Sequence, residues 1–144
     1  MSITPPDMLC FALYSASHAM QAAYQPLLAP LGLTYPQYLV LSALDGASPQ
    51  RVGQLGATLD LDTNTLTPML KRMEGAGWLT RRRDDRDERQ VLVALTPEGR
   101  NLLDRAADVP DCFARKTGLA QTDIADLRDV LAALRDQLRG RSGT

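Results

Sequence analysis

The strongest nucleophiles in this sequence are two thiols, Cys10 and Cys112, far apart along the chain. His18 is its one histidine and no CxxC pair occurs, so the ligands of a structural zinc site are lacking. In a reducing cytosol a standing disulfide is not expected either. Two readings remain for the thiols. They are inert core cysteines, a common fate of a free Cys, or they form a redox sensor in which a thiolate attacks an oxidant.

The segment that must position Cys10 reads as a long helix. Pro5-Pro6-Asp7 is a helix start with Asp7 as N-cap, and the helix runs from there to about Leu28. Cys10, Leu13, Ser17, Met20, Tyr24 and Leu27 follow a 3-4 spacing and share one face. Cys10 and Tyr24 lie fourteen positions apart, roughly 21 Å along one helix, so they cannot touch within one copy. Two copies packed antiparallel about a twofold axis near Ser17 would bring them together. Small residues in the middle (Ser15, Ala16, Ser17, Ala19) permit that approach. Thr34-Tyr35-Pro36 opens a second helix reaching Leu44, with Tyr35 at its start. Tyr14 and Tyr38 read as core.

A second chemistry sits between residues 62 and 96. Leu66, Met69, Leu70 and Met73 recur at helical spacing and would face a core. The opposite stripe is Asn64, Thr67, Pro68 and Lys71, small polar groups with one cation, suited to base-pair edges. The helix starts near Thr63 with Pro68 inside it, or at an N-cap Thr67 with Pro68 as its first residue; the sequence leaves both open. Gly75 and Gly77 stop it. Trp78 to Arg83 reads as a strand, Asp84 to Arg89 as a charged tip, and Val91, Val93 and Leu95 as the returning strand. Ahead of this block, Ser48-Pro49 would cap a short helix with apolar positions Val52, Leu55 and Leu59, and Asp60-Leu61-Asp62 would be the turn. Two helices, a tight turn and a basic ribbon are the layout of a winged helix-turn-helix, with the helix in the major groove and the ribbon on the backbone or minor groove.

After the ribbon, Thr96-Pro97-Glu98 starts another helix through Leu102, Leu103 and Ala106, which Pro110 should kink or break. Thr122 caps a last helix with Ile124, Leu127, Leu131, Leu134 and Leu138 in one stripe, core or dimer seam. The tail from Arg139 onward reads as disordered.

Composition agrees with a globular, mainly helical protein: 144 residues, 44% hydrophobic and 23% charged. The net charge of -1 gives no global sign of nucleic-acid binding, but its distribution does. Arg51 is the one cation before residue 62, whereas Thr63 to Arg83 holds five cations against Glu74. No apolar run has membrane-spanning length and no basic secretory leader opens the sequence, so a cytoplasmic location without membrane contact is the default expectation.

With these residues in view, the sequence resembles the MarR family of transcriptional regulators over nearly its full length, and more narrowly the organic hydroperoxide resistance regulators. The resemblance rests on LCFALYSAS at 9 to 17, LGLTYPQYLVL at 31 to 41, DTNTLTPMLKRME at 62 to 74 and DERQVLVALTPEGR at 87 to 100. It implies one MarR-like subunit over 1–144, with dimerisation helices at 1–31 and 97–140 flanking a winged helix-turn-helix at 34–96. It implies a homodimer, not an enzyme and without cofactor or metal, that represses a promoter on operator double-stranded DNA and lets go when an organic hydroperoxide oxidises it.

By the same resemblance Cys10 is the sensor and Tyr24 and Tyr35 of the other subunit hydrogen-bond to it. Cys112 stands in a suitable region to capture the oxidised sensor as an intersubunit disulfide. In the wing Asp87 orients Arg89, which reaches the minor groove. From the residues themselves, Arg86 joins Arg89 as a wing contact, and Asn64, Thr67 and Lys71 are expected in the major groove. The sequence departs from the family at His18, where an Arg is common, and around Cys112, where the match is weaker than around Cys10. Two rival functions follow from the same residues: a repressor released by a small phenolic ligand without redox chemistry, and a thiol peroxidase using both cysteines. The second lacks a distinct catalytic base and leaves the basic helix unexplained.

Overall fold

A computed structural model describes residues 2–140, which divide into two compact units at the Val109–Pro110 junction. Of the tail expected to be disordered from Arg139 onward, Arg139 and Gly140 are described, Arg139 as a helix C-cap, and residues 141–144 lie outside the described residues.

The first unit begins with a 3-10 turn at Pro5–Asp7 and the helix α1, Leu9–Leu28. The N-cap of α1 is Met8, not the expected Asp7. Two consecutive prolines tighten the chain into 3-10 geometry, and the Asp7 carboxylate accepts a bond from the Thr4 hydroxyl at 2.8 Å. Cys10 therefore stays in the first turn of α1, as its second residue. A second 3-10 turn, Ala29–Leu31, ends at Gly32, whose φ of 73° suits glycine. The helix α2, Tyr35–Gly46, then starts at a full capping box in which the Thr34 hydroxyl accepts from Gln37 N–H and the Gln37 amide oxygen accepts from Thr34 N–H.

Ser48–Pro49 does not cap the next helix. Its peptide bond is cis, and the Ser48 hydroxyl accepts from Leu95 N–H at 3.0 Å. Two residues of strand, β1 (Gln50–Arg51), intervene before α3, Val52–Leu59, whose N-cap is Arg51. Asp60 takes a left-handed φ of 62° and turns the chain into α4, Thr63–Gly75. Gly56 makes this corner feasible, because a Cβ there would come within 2.7 Å of the Leu61 carbonyl oxygen. Of the two openings left for α4, the longer one is found: Asp62 caps it, accepting from Thr65 N–H at 2.7 Å, and Pro68 lies inside. Pro68 is the sixth residue of α4, and burial of Leu66, Met69, Leu70 and Met73 on the core side offsets its missing hydrogen bond. Gly77, at φ 87°, ends the helix, with Trp78 N–H bonded back to the Met73 carbonyl.

The ribbon comprises β2 (Leu79–Asp84) and β3 (Asp87–Leu95), with Asp85 and Arg86 alone forming the tip. The sheet has three strands, not the two expected, in the order β1-β3-β2 and antiparallel throughout. Gln50 pairs with Val93 and Arg51 with Leu92. A two-residue strand carries no readable alternation, so the sequence could not announce it. The helix α5, Pro97–Arg105, starts at Thr96 as expected, and the chain breaks before α6, Val109–Thr117, with Pro110 in the first turn of α6. The core of this unit is Leu41, Leu44, Leu55, Leu66, Leu70, Met73, Leu79 and Val93, each at most 1% exposed. Such full burial is worth roughly 1.5–3 kcal/mol per large side chain.

In the second unit α6 is followed by α7, Gln121–Leu138. Ala120, not Thr122, is its N-cap, and Gly118 at φ 69° makes the turn between them. No residue of α7 is buried; Leu127, Val130, Leu131 and Leu138 are 40–74% exposed. Of the two readings for this stripe, core is the one the subunit does not use.

Candidate redox site and nucleic-acid interface

Cys10 is an exposed free thiol, and its neighbours Leu9 and Phe11 are exposed apolar side chains. Tyr24, fourteen residues on in the same continuous α1, is roughly 21 Å along the axis from it. The structure brings Tyr24 to Tyr35 instead: their ring centroids are 4.7 Å apart and tilted by 45°. The capping box on α2 fixes Tyr35 as the first helical residue, and Tyr24 reaches it from the last turns of α1. Tyr38 completes the group at 6.3 Å from Tyr24. All three rings pack against the core while keeping partial exposure.

Burial, and then the neighbouring Tyr35 and Tyr38, push the Tyr24 phenol up to about 12. Burial and then Tyr38 raise Tyr35, and burial raises Tyr38 against the opposing Ser42 hydrogen bond. Near neutral pH these phenols are protonated and can donate to an anion. Tyr14, expected in the core, is 61% exposed, its ring 4.3 Å from that of His18. Cys112, in α6, is a half-exposed free thiol that accepts a bond from the Arg115 guanidinium at 3.4 Å.

On α4 the core-facing stripe leaves Asn64, Pro68, Lys71 and Arg72 exposed and Thr67 half-buried. Thr63 and Thr67 line a hollow of about 250 Å³ with Val52, Arg81 and Arg89 on its other walls. The recognition-type helix, the start of α3 and the wing thus share one concave surface.

Each wing arginine has its own setting. Arg81 is locked to α4, its guanidinium bonded to Glu74 at 3.1 and 3.2 Å and its N–H to the same carboxylate at 2.9 Å. Arg83 donates to the Glu88 carbonyl across the ribbon at 2.7 Å. Arg89 is held by Asp87 at 3.1 Å yet its side chain is 89% exposed. Asp87 also accepts from Arg89 N–H, and these bonds hold its carboxyl below the usual carboxylate range. The Asp87–Arg89 pair anticipated from the sequence is therefore a closed two-residue bracket that presents the guanidinium outward. The Arg86 guanidinium forms no hydrogen bond among the described residues, and it stands at the tip.

One tie between the wing and α3 escaped sequence reading. Asp84, 7% exposed, accepts from Arg51 Nη2 and Nε at 3.0 and 3.2 Å and from Arg86 N–H at 3.0 Å. The Arg86 bond first, then Arg51, holds its carboxyl low. Arg51 and Asp84 are 33 residues apart, so no local spacing announces the pair. Tyr38 was within reach: it is three residues after Tyr35 on α2 and so on the same face. Among the described residues no cluster of three or more His, Cys, Asp or Glu is placed to hold a metal ion, and no single helix is long and apolar enough to cross a membrane.

Residues 22–106 match the family model for the transcriptional regulator SarA/Rot. The chain is 46% identical over 138 residues to the HTH-type transcriptional regulator TtmR of Methylorubrum extorquens, covering 96% of this chain and 71% of that protein. It is 41% identical over 136 residues to the organic hydroperoxide resistance transcriptional regulator of Bacillus subtilis, covering 94% and 92%. Among solved structures it is similar to AbfR of Staphylococcus epidermidis. Reduced AbfR bound to DNA superposes with a TM-score of 0.78 at 35% identity, over 92% of this chain and 91% of that one. AbfR has also been solved overoxidised on DNA (TM-score 0.73, 35% identity, 90% and 91% covered) and in a disulfide form (0.63, 36%, 92% and 88%).

Proposed function

This chain belongs to the MarR family of DNA-binding transcriptional regulators, in the organic hydroperoxide resistance branch, and on that premise we propose that it is a homodimeric repressor that Cys10 oxidation releases from its operator. The observation that carries the proposal is the separation, within one subunit, of an exposed first-turn thiol on α1 from a pair of phenols, Tyr24 at the far end of α1 and Tyr35 at the start of α2. Two α1 helices packed antiparallel would set each Cys10 against the partner's Tyr24 and Tyr35. The exposed apolar side chains of α1 supply surface for such a dimer, and in sequence the dimerisation helices of 1–31 and 97–140 flank the reader at 34–96.

Protonated phenols favour the thiolate, as does the start of α1. The Cys10 thiolate attacks the terminal oxygen of an organic hydroperoxide; the O–O bond breaks, an S–OH bond forms, and the alkoxide leaves and takes a proton. The Cys112 thiol then attacks that sulfur, making a disulfide and expelling water. A disulfide needs Cα atoms about 4.4–6.8 Å apart, so closing it constrains the helices that carry the two readers. Two readers must meet half-sites roughly 34–36 Å apart, and a change in their spacing costs affinity. On DNA, Asn64, Thr67 and Lys71 enter the major groove, while Arg89, set by Asp87, and Arg86 reach the backbone or minor groove. The relatives support this reading, since AbfR is known both reduced on DNA and as a disulfide.

The test is an electrophoretic shift on the chain's own upstream DNA, run reduced, with cumene hydroperoxide, and with dithiothreitol added back. Wild type should release reversibly, Cys10→Ser should stay bound, and Cys112→Ser should show whether a disulfide completes release. Wild-type binding indifferent to peroxide would leave a repressor with a different inducer.

A further inference from the structure

Tyr24, near the end of α1, packs against two rings of α2. Its ring lies 4.7 Å from Tyr35 and 6.3 Å from Tyr38, tilted 45° and 39°, so α2 grips it from two points. Those points are three residues apart on α2, neighbours on one helical face. The grip is stiff at its origin. Tyr35 is the first residue of a capped helix, and the Tyr38 ring, three residues on, packs against the core. The Tyr35 hydroxyl makes no hydrogen bond among the described residues, so it is available to an incoming group.

We infer that Tyr38 is a positioning residue of the redox site: its ring holds Tyr24 against Tyr35, so that two phenol hydroxyls converge on one incoming sulfur. The inference rests on the redox reading above and adds to it a third tyrosine that need not touch the sulfur. Its ring, 6.3 Å from that of Tyr24, packs beside it and restricts the rotamers open to the Tyr24 side chain. The role belongs to the ring rather than to the hydroxyl, so phenylalanine can fill it.

The experiment measures iodoacetamide alkylation of Cys10 against pH in full-length dimer carrying Cys112→Ser, so that one thiol reports. Tyr38→Phe, Tyr38→Leu and Tyr38→Met are compared with the tyrosine form, and peroxide release is measured alongside. Tyr38→Leu and Tyr38→Met should move the alkylation profile to higher pH and slow the reaction about ten-fold at neutral pH, the scale of one weakened hydrogen bond to a charged group. Tyr38→Phe should retain the starting profile. Tyr38→Met provides the reading if Tyr38→Leu fails to fold, and operator binding by the reduced variants reports folding. An unshifted profile in a folded Leu or Met variant would overturn the inference, as would a Tyr38→Phe profile shifted equally far. If Cys10 of the wild type does not react with cumene hydroperoxide, the redox reading itself falls, and this inference with it.

Discussion

Gly99 offers the sharpest quantitative test of how the wing is joined to the helix that follows it. It is buried in the first turn of α5, and a Cβ there would fall on the Trp78 carbonyl oxygen, 3.0 Å from the Trp78 carbonyl carbon and 2.8 Å from Leu95 Cδ1. The first two are backbone atoms and cannot rotate away, so in Gly99→Ala the start of α5 must retreat by about 1 Å, an overpacking cost of roughly 1–3 kcal/mol. The retreat strains the Thr96 N–H bond to Trp78 (3.2 Å) and the Thr96 hydroxyl bond to Gly77 (2.6 Å), each worth about 1 kcal/mol. Alanine's helix preference returns up to about 1 kcal/mol. The net is a destabilisation of about 2–4 kcal/mol, a melting shift on the order of 10 °C at this size.

The assay is urea unfolding followed by circular dichroism and by fluorescence of Trp78, the one tryptophan in the chain, which sits at the contact. Gly53→Ala is the control: nothing lies within 4 Å of its Cβ, and it should be neutral or stabilising by up to about 1 kcal/mol. If Gly99→Ala unfolds at or above the wild-type midpoint, the packing argument is wrong.

Three further outcomes follow from the site. Arg86→Ala should leave the unfolding midpoint within about 0.5 kcal/mol, because its guanidinium bonds nothing among the described residues, and should lower the salt slope of operator binding by about 0.9 if it neutralises one phosphate. Arg89→Ala should weaken operator binding at moderate salt with little effect on folding, and Asp87→Ala should weaken it less, since the charge stays while its bracket is lost; equal affinity for wild type and Arg89→Ala would remove the wing from the interface. In an alkaline titration read at 295 nm, the Tyr24, Tyr35 and Tyr38 phenols should ionise above the free-phenol range, Tyr24 near 12. Their folded pKa values are raised, so the associated stability is intact below about pH 10 and is lost as pH rises toward 12. A single transition of all four tyrosines at about 10 would contradict the cluster.

The features legible in the sequence were those with a local cause. Thr34 and Thr96 are each followed by a proline at N1 or N2, and both cap a helix. The glycines after α4 end it where expected. Where a capping residue found another partner, the local rule failed. Asp7 binds Thr4, and Ser48 is claimed by Leu95, 47 residues away. Thr122 lost its role because α7 starts at Gln121, two residues earlier than a Thr122 cap would place it. For the site, Asp87 and Arg89 were readable because their bracket spans two residues. Arg51 with Asp84 was not, because a two-residue strand brings them together. Tyr14 stood outside the α1 face grouped by helical spacing and was read as core from its residue type, and it is 61% exposed.

The ties that hold the wing have a consequence for the entropy of recognition. Arg51–Asp84 fixes the wing to the start of α3, Arg81–Glu74 fixes it to α4, and Gly99 lets α5 close on its base. A reader braced at these places has little freedom left to lose when it docks, so contacts with DNA are not spent on ordering the protein. The same bracing opposes loosening of the reader from within. In the proposed dimer, control over binding then acts on how two braced readers are presented to the duplex.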